Sequence, residues 1–103
     1  MKVLFGVDVG GTDIKLGAFD WKSQKLLKKW AIKTDLSNEG KQIIPDVAKE
    51  IQSYLCENAL SEADVYGIGM GIPGPVDKDG NVEVCVNLFW NNFNPAEEMR
   101  KFF

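Results

Sequence analysis

Two short runs of strand-forming residues meet at a pair of glycines, and that junction constrains the chain more than any other feature. Val3-Leu4-Phe5-Gly6-Val7 is β-branched and aromatic and runs into Asp8, and Ile14 to Asp20 is a second such run. Gly10-Gly11-Thr12 forms the corner between them, so the two fold back on each other as a tight hairpin. Asp20-Trp21-Lys22-Ser23-Gln24 makes the next turn. A third strand is predicted from about Lys25 to Thr34, its lysines facing water and Leu26, Trp30 and Ile32 turned to the core. Three consecutive strands joined by short turns make an antiparallel meander.

Beyond the meander the periodicity changes. Ser37-Asn38-Glu39-Gly40 reads as a loop of helix-starting residues. Ile43, Val47, Ile51, Tyr54 and Leu55 recur at helical spacing, which predicts a helix to about Ala59 with one apolar face. Pro45 is tolerated in the first turn, where backbone N–H groups have no intrahelical partner. Val65 to Ile72 reads as a fourth strand, with Ile68, Met70 and Ile72 on one face and Gly67, Gly69 and Gly71 on the other. A glycine face either packs against a helix or lets a ligand approach the backbone. Pro73-Gly74-Pro75 ends that strand, Asp77-Lys78-Asp79-Gly80 turns, and Asn81 to Val86 forms a short return strand. Asn87 to Asn94 is polar and aromatic, and a last helix begins at Pro95. Meander, helix and crossover strand together define a mixed α/β sheet.

Bulk properties remove several function classes. With 103 residues, 45% of them hydrophobic, the chain is one globular domain with a modest core. A net charge of −3 without a Lys/Arg run leaves no basic footprint for nucleic acid or an anionic membrane. No apolar stretch approaches the roughly 20 residues of a membrane span, and no signal peptide fits the N-terminus. Cys56 and Cys85 are isolated, which reads as two reduced, partly buried thiols in a cytoplasmic protein. The count of histidines is 0, which excludes Ser-His-Asp triads and His-based general bases within the chain. Chemistry here rests on carboxylates, backbone amides, lysines and amide side chains.

Asp8-Val9-Gly10-Gly11-Thr12-Asp13-Ile14-Lys15-Leu16-Gly17 concentrates those groups. Glycines at a tight corner expose N–H groups to phosphate oxygens. Thr12 adds a hydroxyl, and Lys15 adds a point charge for a phosphate if its side chain reaches the turn. Asp8 is placed to hold Mg²⁺ through water, since magnesium sites pair one or two carboxylates with substrate phosphates. A plain hairpin with a turn carboxylate is the bland alternative; the acid before the glycines and the lysine after them favour phosphate. Gly69-Met70-Gly71-Ile72-Pro73-Gly74 matches a dinucleotide fingerprint in spacing only, because prolines bracket the last glycine and no helix follows to receive a pyrophosphate. Nothing matches a P-loop.

These segments carry a resemblance. Asp8-Val9-Gly10-Gly11-Thr12 with Lys15 and Gly17 resembles the first phosphate loop of the actin, Hsp70 and hexokinase superfamily. Gly67-Ile68-Gly69-Met70-Gly71-Ile72-Pro73-Gly74-Pro75-Val76-Asp77 is similar to the signature of the ROK family, which holds bacterial glucokinases, other sugar and amino-sugar kinases and sugar-responsive repressors. Asn87-Leu88 followed by Trp90 resembles that family's next block. The resemblance implies an RNase H-like (actin-like ATPase) N-terminal lobe over residues 1–103, closing on a C-terminal lobe with ATP and a hexose or amino sugar between them. It implies that Asp8, Gly10, Gly11, Thr12 and Lys15 serve MgATP, and that Gly74 and Asn87 approach sugar hydroxyls. The bland reading of Gly74 is a chain-reversing glycine, and Asn87 reads equally as a loop asparagine capping nearby backbone. Trp90 and Phe93 read as core.

The departures shape the expectation. The family's catalytic base is an aspartate in an Asn-Asp pair, and no Asn-Asp dipeptide occurs here. Its Glu-x-Gly-His motif and cysteine-rich zinc cluster require histidine, so zinc belongs only to a C-terminal half that this chain does not contain. The chain is therefore expected to be an incomplete, inactive lobe of a cytoplasmic kinase that is a homo-oligomer when full length. A sugar-sensing ROK regulator is the rival; those resemble the kinases but carry a helix-turn-helix ahead of the first strand, where this chain has only Met1 and Lys2. An actin-like assembly module is a third reading, disfavoured by the Gly74-Pro75-Val76-Asp77 block.

Overall fold

The alternating pattern of the first seven strand residues dictates which face of the sheet is dry. In the computed structural model, which describes residues 1–103, strand β1 spans Val3–Val9 and buries Val3, Phe5, Val7 and Val9. Strand β2 (Asp13–Asp20) buries Ile14, Leu16 and Ala18. Side chains two apart share one face of a strand, so both strands present one apolar surface. Strand β3 (Leu26–Lys33) pairs antiparallel with β2, completing the expected meander.

Helix α1 (Ile43–Glu57) covers that surface. Ile43, Ile44, Val47, Ala48, Ile51, Tyr54 and Leu55 are buried and belong to one cluster with the core residues of β1 and β2. Tyr54 meets Phe5 edge-on at 5.6 Å between ring centroids and stacks with Trp30 at 5.9 Å. Trp30 also donates its indole N–H to Glu50 at 3.0 Å, tying β3 to the helix. Pro45 sits in the first helical turn, as its missing N–H requires.

The helix carries the chain from β3 at one edge of the sheet to β4 (Val65–Gly71) at the other, giving the order β3-β2-β1-β4. Strand β4 runs parallel to β1. A second, two-stranded sheet follows: β5 (Val82–Cys85) pairs antiparallel with β6 (Trp90–Phe93), joined through a 3-10 turn at Val86–Leu88. Helix α2 (Pro95–Arg100) closes the structure; Asn94 caps it by accepting from the Glu97 N–H at 3.0 Å. No helix is long and apolar enough to cross a membrane.

Four expectations need correction. Leu26 does not face the core: it is 53% exposed and lines the opposite side of the sheet. The register of β2 against β3 shifts between Ala18 and Phe19, and a one-residue slip moves a side chain to the other face. Ser37–Gly40 does not cap α1; Asn38–Gly40 is a separate 3-10 turn and the helix begins after Gln42. Within the polar, aromatic stretch Asn87 to Asn94, for which no strand is expected, Trp90–Phe93 forms β6. Cys56 is exposed, whereas Cys85 is buried.

Candidate functional site

One face of the four-stranded sheet is covered by α1 and the other is floored by glycine. Gly6 is the ladder partner of Gly17 in β2 and of Gly69 in β4. One step along, Asp8 stands between Lys15 and Gly71. These residues, with Phe19, Leu26 and Lys29, line an open groove of about 580 Å³. A Cβ built on Gly69 meets nothing within 4 Å, and one on Gly71 would lie 3.7 Å from the Asp8 carboxylate. Glycine at 71 therefore keeps the space beside that carboxylate clear.

Asp8 and Lys15 are both exposed. Neither forms an ion pair within the chain, where the single salt bridge is Lys101–Glu98 at 2.9 Å. An acid and a base on adjacent strands, both unspent, can serve a bound phosphate and its counter-ion. Lys15 lines the groove beside Asp8 rather than the hairpin corner. An exposed carboxylate with free space next to it suits a Mg²⁺ ion held through water. Bound there with a nucleotide, the ion would neutralise phosphate charge.

The corner itself is built by backbone hydrogen bonds. The Gly10 N–H donates to the Asp13 carbonyl at 3.0 Å, and a Cβ on Gly10 would lie 2.8 Å from that same oxygen. Only glycine fits there without displacement. Thr34, just beyond β3, grips the corner twice: its hydroxyl donates to the Gly10 carbonyl at 2.7 Å, and its N–H donates to the Thr12 carbonyl at 2.9 Å. The N–H groups of Gly11 and Thr12 make no hydrogen bond within the chain. Two neighbouring free donors at a glycine corner are the groups from which an anion-binding concavity can be built.

Asn87 comes to this corner from the far end of the sequence. A Cβ on Gly11 would lie 3.4 Å from the Asn87 carbonyl oxygen and 3.7 Å from the Asn87 Cβ. The residue named for phosphate and the residue named for sugar are thus neighbours. Gly74 lies beside β5, where an added Cβ would be 3.5 Å from the Cys85 sulfur, and its N–H closes a turn onto the Ile72 carbonyl at 2.9 Å. Asp77 is spent structurally: its carboxylate accepts from the N–H groups of Asp79 and Asn81, and hydrogen bonds, that from Asn81 foremost, hold its pKa below the usual aspartate value.

Sequence reasoning named Asp8, Gly10, Gly11, Thr12, Lys15, Gly74 and Asn87 as site residues, placed Gly71 on the glycine face of β4, and missed Thr34. For Gly71 the alternating glycines of β4 were a visible signal. Thr34 acts on Gly10 across 24 residues of sequence, which no local pattern reveals.

The sheet presents a glycine hairpin corner beside an open glycine-floored groove, and comparison with known proteins shows the family that shares this fold. The ROK family model matches residues 4–103, so the chain belongs to the ROK family. A glucokinase of Halalkalibacterium halodurans is 37% identical over 97 residues, which is 93% of this chain and 29% of that protein. The chain thus spans under a third of the length of the curated relative it matches. Among solved structures, the ROK hexokinase from Thermus thermophilus superposes with a TM-score of 0.75 at 26% identity, covering 97% of this chain and 32% of that one. The inorganic polyphosphate/ATP-glucomannokinase from Arthrobacter sp. strain KM gives 0.78 at 25% identity, covering 99% and 41%. A ROK family glucokinase from Streptomyces griseus, solved with glucose and AMPPNP, shares the fold with a TM-score of 0.68 at 22% identity, over 96% of this chain and 30% of that one. The fold is the RNase H-like lobe of the actin-like ATPases.

Proposed function

We propose that residues 1–103 are the N-terminal lobe of an ATP-dependent hexose kinase, a phosphotransferase that moves phosphate from MgATP to a sugar hydroxyl. The observation that carries this reading is the pairing of free Gly11 and Thr12 N–H groups with an unspent Asp8 carboxylate at the end of the neighbouring strand. Glucokinase as the 37%-identical relative supports the sugar as acceptor.

In phosphoryl transfer the protein contributes placement and electrostatics more than covalent chemistry. The corner amides orient phosphate oxygens, Lys15 offers positive charge, and Asp8 holds hydrated Mg²⁺. Asn87, against Gly11, donates or accepts at a sugar hydroxyl, and Gly74 lets the sugar approach the backbone. No group in this chain is placed as the base that accepts the hydroxyl proton. A second lobe supplies that base and the adenosine pocket, so the isolated chain is inactive.

ADP release with MgATP and a panel of hexoses and amino sugars tests the reading, run on the 103-residue chain and on the two-lobed protein. Turnover of one sugar by the two-lobed protein alone is expected. Asp8→Ala should weaken MgATP use in that protein by about 10²-fold, the scale of lost charge placement. Unchanged nucleotide affinity in the variant would remove Asp8 from the site, and absence of turnover with any sugar would favour a sugar sensor.

A further inference from the structure

We propose that Thr34 is the positioning residue of the phosphate corner, setting the direction in which the Gly11 and Thr12 N–H groups point. This rests on the kinase reading only for its biological use; the geometry stands on the corner itself. In a planar trans peptide, the carbonyl of one residue and the N–H of the next point in opposite directions. The Thr34 hydroxyl holds the Gly10 carbonyl at 2.7 Å and so turns the Gly11 N–H away from β3. The Thr34 N–H holds the Thr12 carbonyl at 2.9 Å and fixes the following peptide in the same manner. The Gly11–Thr12 peptide is thus pinned on both sides while its own N–H stays free.

Such a clamp is needed because of the composition of the corner. Gly10 and Gly11 have the widest backbone freedom of any residues, and the hairpin's own closing bond, Gly10 N–H to Asp13 carbonyl, constrains only one end. Without the Thr34 hydroxyl the Gly10–Gly11 peptide can rotate and present its carbonyl, which repels phosphate. Thr34 is partly buried at the base of the corner, and no side chain other than its hydroxyl bonds to the Gly10 carbonyl. It touches no reacting atom and acts entirely through the corner.

The experiment compares wild type, Thr34→Val and Thr34→Ser. Valine keeps shape and backbone N–H but removes the hydroxyl, and serine restores the hydroxyl. Backbone amide resonances of Gly11 and Thr12 are followed in the 103-residue chain as inorganic tripolyphosphate and Mg²⁺ are added, and steady-state kinetics are measured on the two-lobed protein. Both amides are expected to shift in wild type. Thr34→Val should weaken that response by about five- to tenfold and raise the KM for MgATP while leaving the KM for sugar in place; Thr34→Ser should restore both. A Thr34→Val chain that titrates like wild type, a Thr34→Ser chain as impaired as Thr34→Val, or wild-type amides that do not move would each overturn the proposal. Amide shifts in a protein that phosphorylates no sugar would sink the kinase reading and leave the positioning role standing.

Discussion

Trp90 donates its indole N–H to the main-chain carbonyl of Gly40 at 2.8 Å, joining residues 50 apart in sequence. Gly40 is buried with φ of 72°, in the left-handed region. A Cβ there would lie 2.0 Å from the Leu88 carbonyl and 2.8 Å from the Trp90 ring. This contact latches the β5–β6 hairpin onto the segment leading into α1. Asn87 precedes Leu88, so the latch also holds Asn87 against Gly11.

Breaking the latch should cost stability in a graded way. Trp90→Phe leaves the Gly40 carbonyl without its donor and should destabilise by about 1–3 kcal/mol. Gly40→Ala should cost more, because about 1–2 kcal/mol of left-handed backbone strain adds to a clash with the Leu88 carbonyl. Urea unfolding of the 103-residue chain measures both. Gly40→Ala as stable as wild type would contradict the contact.

The glycine floor makes the opposite prediction. Gly69 sits in a strand, and a Cβ added there would meet nothing within 4 Å. Gly69→Val should therefore stabilise the 103-residue chain by about 0.5–1 kcal/mol, the usual penalty of glycine inside a regular element. A thermal melt should show a rise of several degrees at this size, about 4–8 °C per kcal/mol. A fall would show that the open face is more crowded than its geometry indicates.

The thiols should separate by reactivity. Cys56 is exposed near the end of α1, whereas Cys85 is 3% exposed beside Gly74, with its sulfur 3.6 Å from the Pro73 carbonyl. A thiol reagent under native conditions should label Cys56 alone, with Cys85 reacting only on unfolding. Peptide mapping by mass spectrometry distinguishes them, and equal rates would mean the β5 region opens freely.

Acid should weaken the fold through three turn carboxylates. Hydrogen bonds from Ser37 lower the pKa of Asp35, that from Ser61 lowers the pKa of Asp64, and that from Asn81 foremost lowers the pKa of Asp77. A carboxyl whose folded pKa lies below its unfolded value contributes stability above the unfolded pKa and loses it as pH falls through the folded one. The loss should therefore begin below about pH 4, the ordinary aspartate value, and Asp77→Asn should flatten part of that limb. Urea midpoints from pH 6 to pH 2 measure the slope. An unaltered slope in Asp77→Asn would remove Asp77 as a contributor.

Much of the fold is legible locally because its signals are short-range. The β1–β2 hairpin follows from two apolar runs around Gly10-Gly11, and α1 follows from the apolar spacing of Ile43, Val47 and Ile51. The β4 glycine face is written in strict alternation at 67, 69 and 71. Leu26 was misread because a register shift in the β2–β3 ladder leaves no trace in the periodicity of one strand. β6 was missed because asparagines at 91 and 92 disfavour strand; Trp90 anchors it from outside, through Gly40.

The sequence by itself determined the order of elements from β1 to β4, the apolar faces of α1 and β4, and a glycine corner flanked by Asp8 and Lys15, because periods of 2 and 3.6 and the backbone freedom of glycine are local properties. Only the tertiary structure decided that the glycine face is the open one, that Thr34 grips Gly10 and Thr12, and that Asn87 lies against Gly11. The pairwise relations join residues 22 to 76 positions apart. Hydrogen bonds and contacts of that span depend on how whole elements pack together, so no short window of sequence contains them.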